Sequence, residues 1–187
     1  LSAADCARSA ASCARALAEA SYDAIIVENF GDAPFFATKV PPVTVAAMTA
    51  CALAVREAAP SVALGVNVLR NDAEAALSIA ACVGARFLRV NVHTGARVTD
   101  QGIVQGEAAA TLRLRRALGA ESVAIWADVD VKHSAPLGPA RPIAQEVEDT
   151  TKRGMADVVL VTGEGTGKGV DLEKLAAVKR AAGTTPV

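Results

Sequence analysis

Five apolar runs at a regular spacing, each followed by a helical segment and a glycine, constrain this chain more than any other feature. The runs cover 23–28, 63–69, 87–92, 123–129 and 157–162, and a sixth begins at Pro186 and Val187. They recur about every 33 residues. Between them, Met48, Cys51, Ala52 and Val55 fall at i, i+3, i+4 and i+7, and so do Ala76, Ile79, Ala80 and Val83. That spacing puts each set on one face of a helix. Asn71 followed by Glu74 reads as a capping box opening the second helix. Gly84, Gly119, Gly154 and Gly183 follow helical runs and read as their stops. Strand, helix, glycine and next strand is the signature of βα units around a parallel sheet.

The period separates two parallel architectures only in part. A (β/α)8 TIM barrel needs about 31 residues per unit, and a doubly wound sheet allows a similar figure. The latter usually carries a glycine turn after its first strand. Here Asn29-Phe30-Gly31-Asp32 stands instead, with no G-x-G-x-x-G. The expected fold is therefore α/β, a TIM barrel. Because 187 residues hold about six units, the expectation is one incomplete barrel domain over 1–187, lacking the first strand and the last two βα units. The composition fits, since 52% of residues are apolar, chiefly Ala and Val, and only 3% are aromatic. Such side chains suit helices packed closely on a Val/Ile-rich sheet.

Composition also excludes several classes of function. With 19 basic and 20 acidic residues, the chain lacks the basic excess of a nucleic-acid-binding face. No apolar run approaches the roughly 18 residues of a membrane helix, the best being 45–55. Asp5, Arg8, Arg15 and Glu19 interrupt any signal-peptide core. Cys6, Cys13, Cys51 and Cys82 show no C-x-x-C spacing and read as small buried apolar residues in a reducing compartment.

Polar residues gather where the apolar runs end: Glu28 and Asn29, Asn67, Arg89 and Asn91, Asp128 and Asp130, and Thr162. Parallel barrels carry their active sites at the C-terminal ends of the strands. Strand alternation puts Arg89, Asn91 and His93 on one face, and Leu88, Val90 and Val92 on the other. Asp128, Asp130 and Lys132 likewise oppose Ile125, Val129 and Val131. The charged faces should line the barrel mouth, because each buried polar group costs free energy unless it is paired.

The densest cluster is Asp128-Val129-Asp130-Val131-Lys132-His133. It offers a carboxylate and an ammonium for proton transfer or anion binding. An ion pair closing the barrel top is the structural alternative. Lys132 and His133 occupy the fifth and sixth positions of a would-be EF-hand loop, which excludes calcium. Asp130-Val131-Lys132 opens a D-x-K-x-x-D pattern that Ala135 breaks. The loop from Thr162 through Gly163, Thr166 and Gly167 to Gly169 follows a strand, so its backbone N–H groups suit an anion. It is not a P-loop, and a plain connector is the alternative. A polar loop over 91–102 brings Asp100 and Gln101 to the same end. No cofactor is assigned. A divalent metal held by His93 or His133 with Glu28, Asp128 and Asp130 stays open, without ligand spacing to support it. Trp126 reads as packing.

These motifs resemble the BtpA/SgcQ family of barrel proteins. The matching stretches are 26–35, 65–72, 89–92, 98–102, 127–133 and 161–163, in order along nearly the whole chain. The resemblance implies a ribulose-phosphate-binding type of TIM barrel. It also implies two kinds of role: an accessory part in photosystem I biogenesis or stabilisation, or an enzyme of sugar or nucleoside metabolism. The family's C-terminal Gly-Ser-Gly-like strand end has no counterpart here.

The reading adopted is a barrel binding a small polar, phosphorylated sugar or nucleoside-like ligand. Lys132 and Arg89 hold the anion. Asp128 is general base or metal ligand, with Glu28 as its partner. Asn67 and Asn91 orient hydroxyls, and Asp100, Gln101, Asp130, His133, Thr162, Gly163, Thr166 and Gly167 complete the site. A homo-oligomer in the cytoplasm is expected, with no nucleic-acid partner. Peripheral attachment to a thylakoid membrane belongs to the accessory role.

Overall fold

A computed structural model describes residues 2–187. The elements run α1 (Ala3–Glu19), β1 (Ala24–Glu28), α2 (Pro42–Ala58), β2 (Ala63–Asn67), α3 (Ala73–Val83) and β3 (Phe87–Val90). Then come β4 (Ala96–Thr99), β5 (Gly102–Gln105), α4 (Ala108–Ala117), β6 (Ala124–Val129) and β7 (Ser134–Pro136). The chain continues through α5 (Ile143–Glu148), a π-helical turn over Asp149–Arg153, β8 (Val158–Val161) and α6 (Leu172–Ala182). All five apolar runs are strands, each a little shorter than its run.

These five strands pair in parallel in the order β1-β2-β3-β6-β8. Each parallel strand therefore neighbours the next one along the chain. A doubly wound sheet would reverse its order at a switch point, and no reversal occurs here. Consecutive helices pack together as well, α1 on α2, α2 on α3, α3 on α4 and α5 on α6. This is barrel-type winding over an arc with β1 and β8 at its edges. Beyond β8, the Val159 N–H donates to the Pro186 carbonyl at 2.9 Å, although the residues around Pro186 form no assigned strand.

The two faces of the arc differ as alternation requires. Ile25, Leu64, Val66, Leu88, Val90 and Ile125 are buried among the helices with Ala52, Val55, Leu77, Ile79, Ala80 and Val83. The other face carries two layers, defined by which side chains touch. The lower contains Gly65, Phe87 and Trp126, with the two rings stacked at 3.9 Å between centroids. A Cβ on Gly65 would lie 2.2 Å from the Phe87 ring, so only glycine fits beneath it. The upper layer holds Glu28, Asn67, Arg89 and Asp128, joined by side-chain hydrogen bonds. Side chains in layers from neighbouring strands are how a parallel barrel fills its interior.

Several local expectations change. Asp72, not Asn71, caps α3: its side chain accepts from the Ala75 N–H at 3.0 Å. Lys39 and the Val40 N–H also need that carboxylate. The segment after β3 is not a plain loop, because β4 and β5 form a hairpin that pairs antiparallel with β7. Cys6 and Cys51 are only half-buried and Cys13 and Cys82 are exposed, all four as free thiols. Ala-rich helices leave their sulfurs at the helix surface rather than in the core. Among the described residues no helix is long and apolar enough to cross a membrane.

Candidate ligand-binding mouth

The strand ends meet in one ion-paired network across four neighbouring strands. Arg89 lies at its centre, donating from Nε and Nη2 to Asp128 Oδ1 and Oδ2 at 3.1 and 2.9 Å. Its Nη1 donates to Glu28 Oε1 at 3.2 Å. Asn67 Nδ2 donates to the same Glu28 oxygen at 3.1 Å, and Asn91 Nδ2 to Asp128 Oδ2 at 3.0 Å. The parity argument thus holds for Arg89 and Asp128, and the strand-end reading for Glu28 and Asn67, all in extended backbone.

The geometry redistributes their roles. The Asp128 side chain has 0% exposure and Arg89 has 15%. Burial pushes the Asp128 carboxyl above its ordinary value, against the pull of Arg89, Asn91 and Arg70. Burial works against the Arg89 charge too, but Asp128 and then Glu28 outweigh it and raise its pKa. Arg89 is therefore already neutralised by two carboxylates. Its expected part as an anion clamp is weakened for that reason, and Asp128 lies behind it.

In front of the network is a cavity of about 560 Å³, lined by Glu28, Arg89 and Asn91 from the strand ends. Arg70, Asp100, Lys132, His133 and Thr166 add polar lining, and Phe30, Phe35 and Leu69 apolar lining. Seven of the residues selected from the sequence come together here: Glu28, Arg89, Asn91, Asp100, Lys132, His133 and Thr166. Arg70 does too, although sequence reasoning passed over it. Its signal was a charge within the motif 65–72, three residues beyond a strand end. Arg70 is buried, and its Nη2 donates to the Lys132 carbonyl at 2.8 Å. Burial lowers its pKa, partly offset by Asp100 and Asp128, yet a guanidinium stays protonated. Among the described residues neither Arg70 nor Lys132 has a carboxylate within ion-pair distance, unlike Arg89. Asn91 Oδ1 is buried with no hydrogen-bond partner.

Other selected residues stand elsewhere. Alternation ends at Val129, and Asp130 has φ +48° and His133 φ +57°. The turn sends the Asp130 carboxylate away from the mouth to Lys174 Nζ at 2.6 Å and to Arg97. Despite partial burial, Lys174 and then Arg97 hold its pKa low. Asp130 instead lines a second cavity of about 270 Å³ with Arg97, Asp128 and Glu146. Gln101 bonds to Asp100 and Thr99 at the hairpin tip, outside the mouth lining. Thr162 Oγ1 accepts from the Lys132 N–H at 3.3 Å, a supporting contact. Gly163 packs against the Lys168 and Gly169 carbonyls, and Gly167 turns the loop at φ +76°. Of the glycine-rich loop only Thr166 reaches the cavity, its Oγ1 3.4 Å from His133 Nε2.

His93 leaves the strand face altogether. It is buried, with Nε2 2.8 Å from the Gly154 carbonyl. With His93 and Asp130 turned away, the set considered for a metal does not converge. Among the described residues no group of three or more His, Cys, Asp or Glu side chains is placed to hold a metal ion.

Consecutively wound parallel strands with a polar, ion-paired layer at their C-terminal ends define an α/β protein of barrel type. A mandelate racemase/muconate lactonizing enzyme from Roseiflexus sp., a TIM-barrel protein, superposes with a TM-score of 0.54. The match covers 94% of this chain and 42% of that one at 17% identity, a likeness of fold alone. The chain belongs to the BtpA family, whose sequence pattern matches residues 4–187. It is 49% identical over 176 residues to the photosystem I biogenesis protein BtpA of Synechocystis, covering 93% of this chain. An uncharacterised protein of Thermococcus kodakarensis is 48% identical over 165 residues, covering 87% of this chain. The chain spans about 60% of the length of each of these curated relatives.

Proposed function

We propose that the mouth binds a small polar, phosphorylated ligand of the sugar or nucleoside type. The observation carrying this reading is the pair Arg70 and Lys132, two cations on one cavity with no carboxylate partner. A phosphate supplies the charge they lack, and Arg70 gives it a planar fork of donors. Arg70 takes over the anion role first given to Arg89, while Arg89 fixes the position of Glu28. Glu28 is the strand-end carboxylate that reaches the cavity, so proton transfer, where the ligand reacts, falls to it. Asp128 tunes that group through Arg89. Asn91 Oδ1 accepts a hydroxyl or N–H from the ligand, and Asn67 holds Glu28.

An accessory role in photosystem I biogenesis is the second reading. It is favoured by the 49% identity to the Synechocystis protein of that name. There the working surface is an outer helix face, such as α4 with Arg113 and Arg116 exposed. Arg115 does not belong to that surface, since it pairs with Asp157 at 2.7 Å.

Complementation of a deletion strain tests the choice. Arg70→Met with Lys132→Met should fail to rescue while accumulating as folded protein. Arg113→Gln with Arg116→Gln should rescue fully. The opposite pattern would overturn the ligand reading in favour of the accessory one.

A further inference from the structure

The apolar wall of the mouth places a second requirement on its ligand. Aromatic residues are scarce in this chain, yet three of its four phenylalanines are Phe30, Phe35 and Phe36. Phe30 and Phe35 line the same cavity as Leu69, Arg70 and Lys132. Phe30 is 58% exposed. The Phe30 and Phe35 rings lie 6.3 Å apart with planes tilted by 52°, so they do not cover each other's faces.

The wall and the cation are built as one unit. Asn29 is buried, and its Oδ1 accepts from the Leu69 N–H at 2.7 Å while its Nδ2 donates to the Leu69 carbonyl at 3.3 Å. The Arg70 N–H donates to the Phe36 carbonyl at 3.0 Å. The phenylalanine segment is thus pinned on both sides to Leu69 and Arg70, which fixes the rings relative to the guanidinium.

We propose that the ligand carries a planar heteroaromatic ring besides its anion, stacked on Phe30 with Phe35 flanking it. That makes it a nucleoside monophosphate rather than a phosphosugar. This rests on the reading of the mouth as an anion site. Phenylalanine offers no polar atom, so sugar hydroxyls pressed on this wall would lose water without gaining a partner. A base has a π-face that stacks on an aromatic side chain and an edge that hydrogen-bonds. Asn91 Oδ1, buried and unpartnered, is an acceptor for such an edge or for the ribose. A cavity of about 560 Å³ lies within the range of roughly 300–1,000 Å³ common for small-molecule sites.

Calorimetric titration of the protein with AMP, GMP, CMP and UMP, each against ribose 5-phosphate, tests this. At least one nucleotide should bind about 5- to 100-fold tighter than ribose 5-phosphate, the worth of one stacked base. Phe30→Ala should remove that advantage and leave ribose 5-phosphate affinity unchanged, while Phe30→Trp keeps it. Ribose 5-phosphate binding as tightly as all four nucleotides would overturn the ring and leave the anion site standing. So would a Phe30→Ala variant that weakens every ligand alike. No binding by any of the five would overturn both.

Discussion

Arg89 and Arg70 look alike in sequence, each a charge at the end of an apolar run, and their surroundings make them different residues. Arg89 is held by two carboxylates behind the cavity, whereas Arg70 faces it unpaired. Removing one partner of a buried ion pair leaves the other charge uncompensated, at about 3–5 kcal/mol. Arg89→Met and Asp128→Asn should each lower unfolding free energy by about that much, and Lys132→Met by less than about 1 kcal/mol. Urea denaturation checks the ranking, and equal costs for Arg89 and Lys132 would contradict it. Strand alternation put Arg89 and Asp128 at the mouth, and the polar end of its apolar run put Glu28 there. Nothing in the sequence says which cation has been neutralised, because that depends on reach between strands.

A second residue-scale consequence concerns His93. Burial first, and Arg115 next, keep its pKa below the ordinary 6.5, against the Gly154 contact and Asp157. The unfolded chain then takes up a proton before the fold does as pH falls. The stability associated with neutral His93 is complete above about pH 6.5 and is lost progressively below it. The difference in unfolding free energy between the protein and His93→Gln should shrink from pH 7.5 to pH 5. A difference that does not vary with pH would show that His93 protonates as easily in the fold as out of it.

Among the elements, the strands were legible and the hairpin was not. The apolar runs and their period follow from burial on the helix side of the sheet. Strands β4 and β5 have four residues each and mixed polarity, so their pattern is too short to stand out from a polar loop. Face assignment worked wherever the backbone stayed extended. It failed at His93, beyond the end of β3, and at Asp130, a non-glycine residue whose positive φ composition does not announce. The layer below the network also depends on one small residue. Gly65→Ala brings a Cβ to 2.2 Å from Phe87, which is stacked on Trp126. The displaced rings should cost about 1–3 kcal/mol, as overpacking does. Denaturant midpoints measure this, and an unchanged midpoint would mean that the stack yields without cost.

For the whole molecule, the order of parallel strands carries the architecture, and the period alone left two architectures open. The arc has β1 at one edge, hydrogen-bonded on one side only. An unpaired strand edge templates pairing with another chain, so the 187-residue chain should self-associate. Sedimentation showing a monomer with one sharp unfolding transition would contradict this. The central claim is that Arg70 and Lys132 make the mouth an anion site. Its most direct measurement is the melting temperature with and without ribose 5-phosphate. Ligand at a hundred times its Kd stabilises a fold by about 2.7 kcal/mol. The account predicts a clear rise for the unmodified protein that is mostly lost in both Lys132→Met and Arg70→Met. An equal rise in all three proteins would place the anion elsewhere and contradict it.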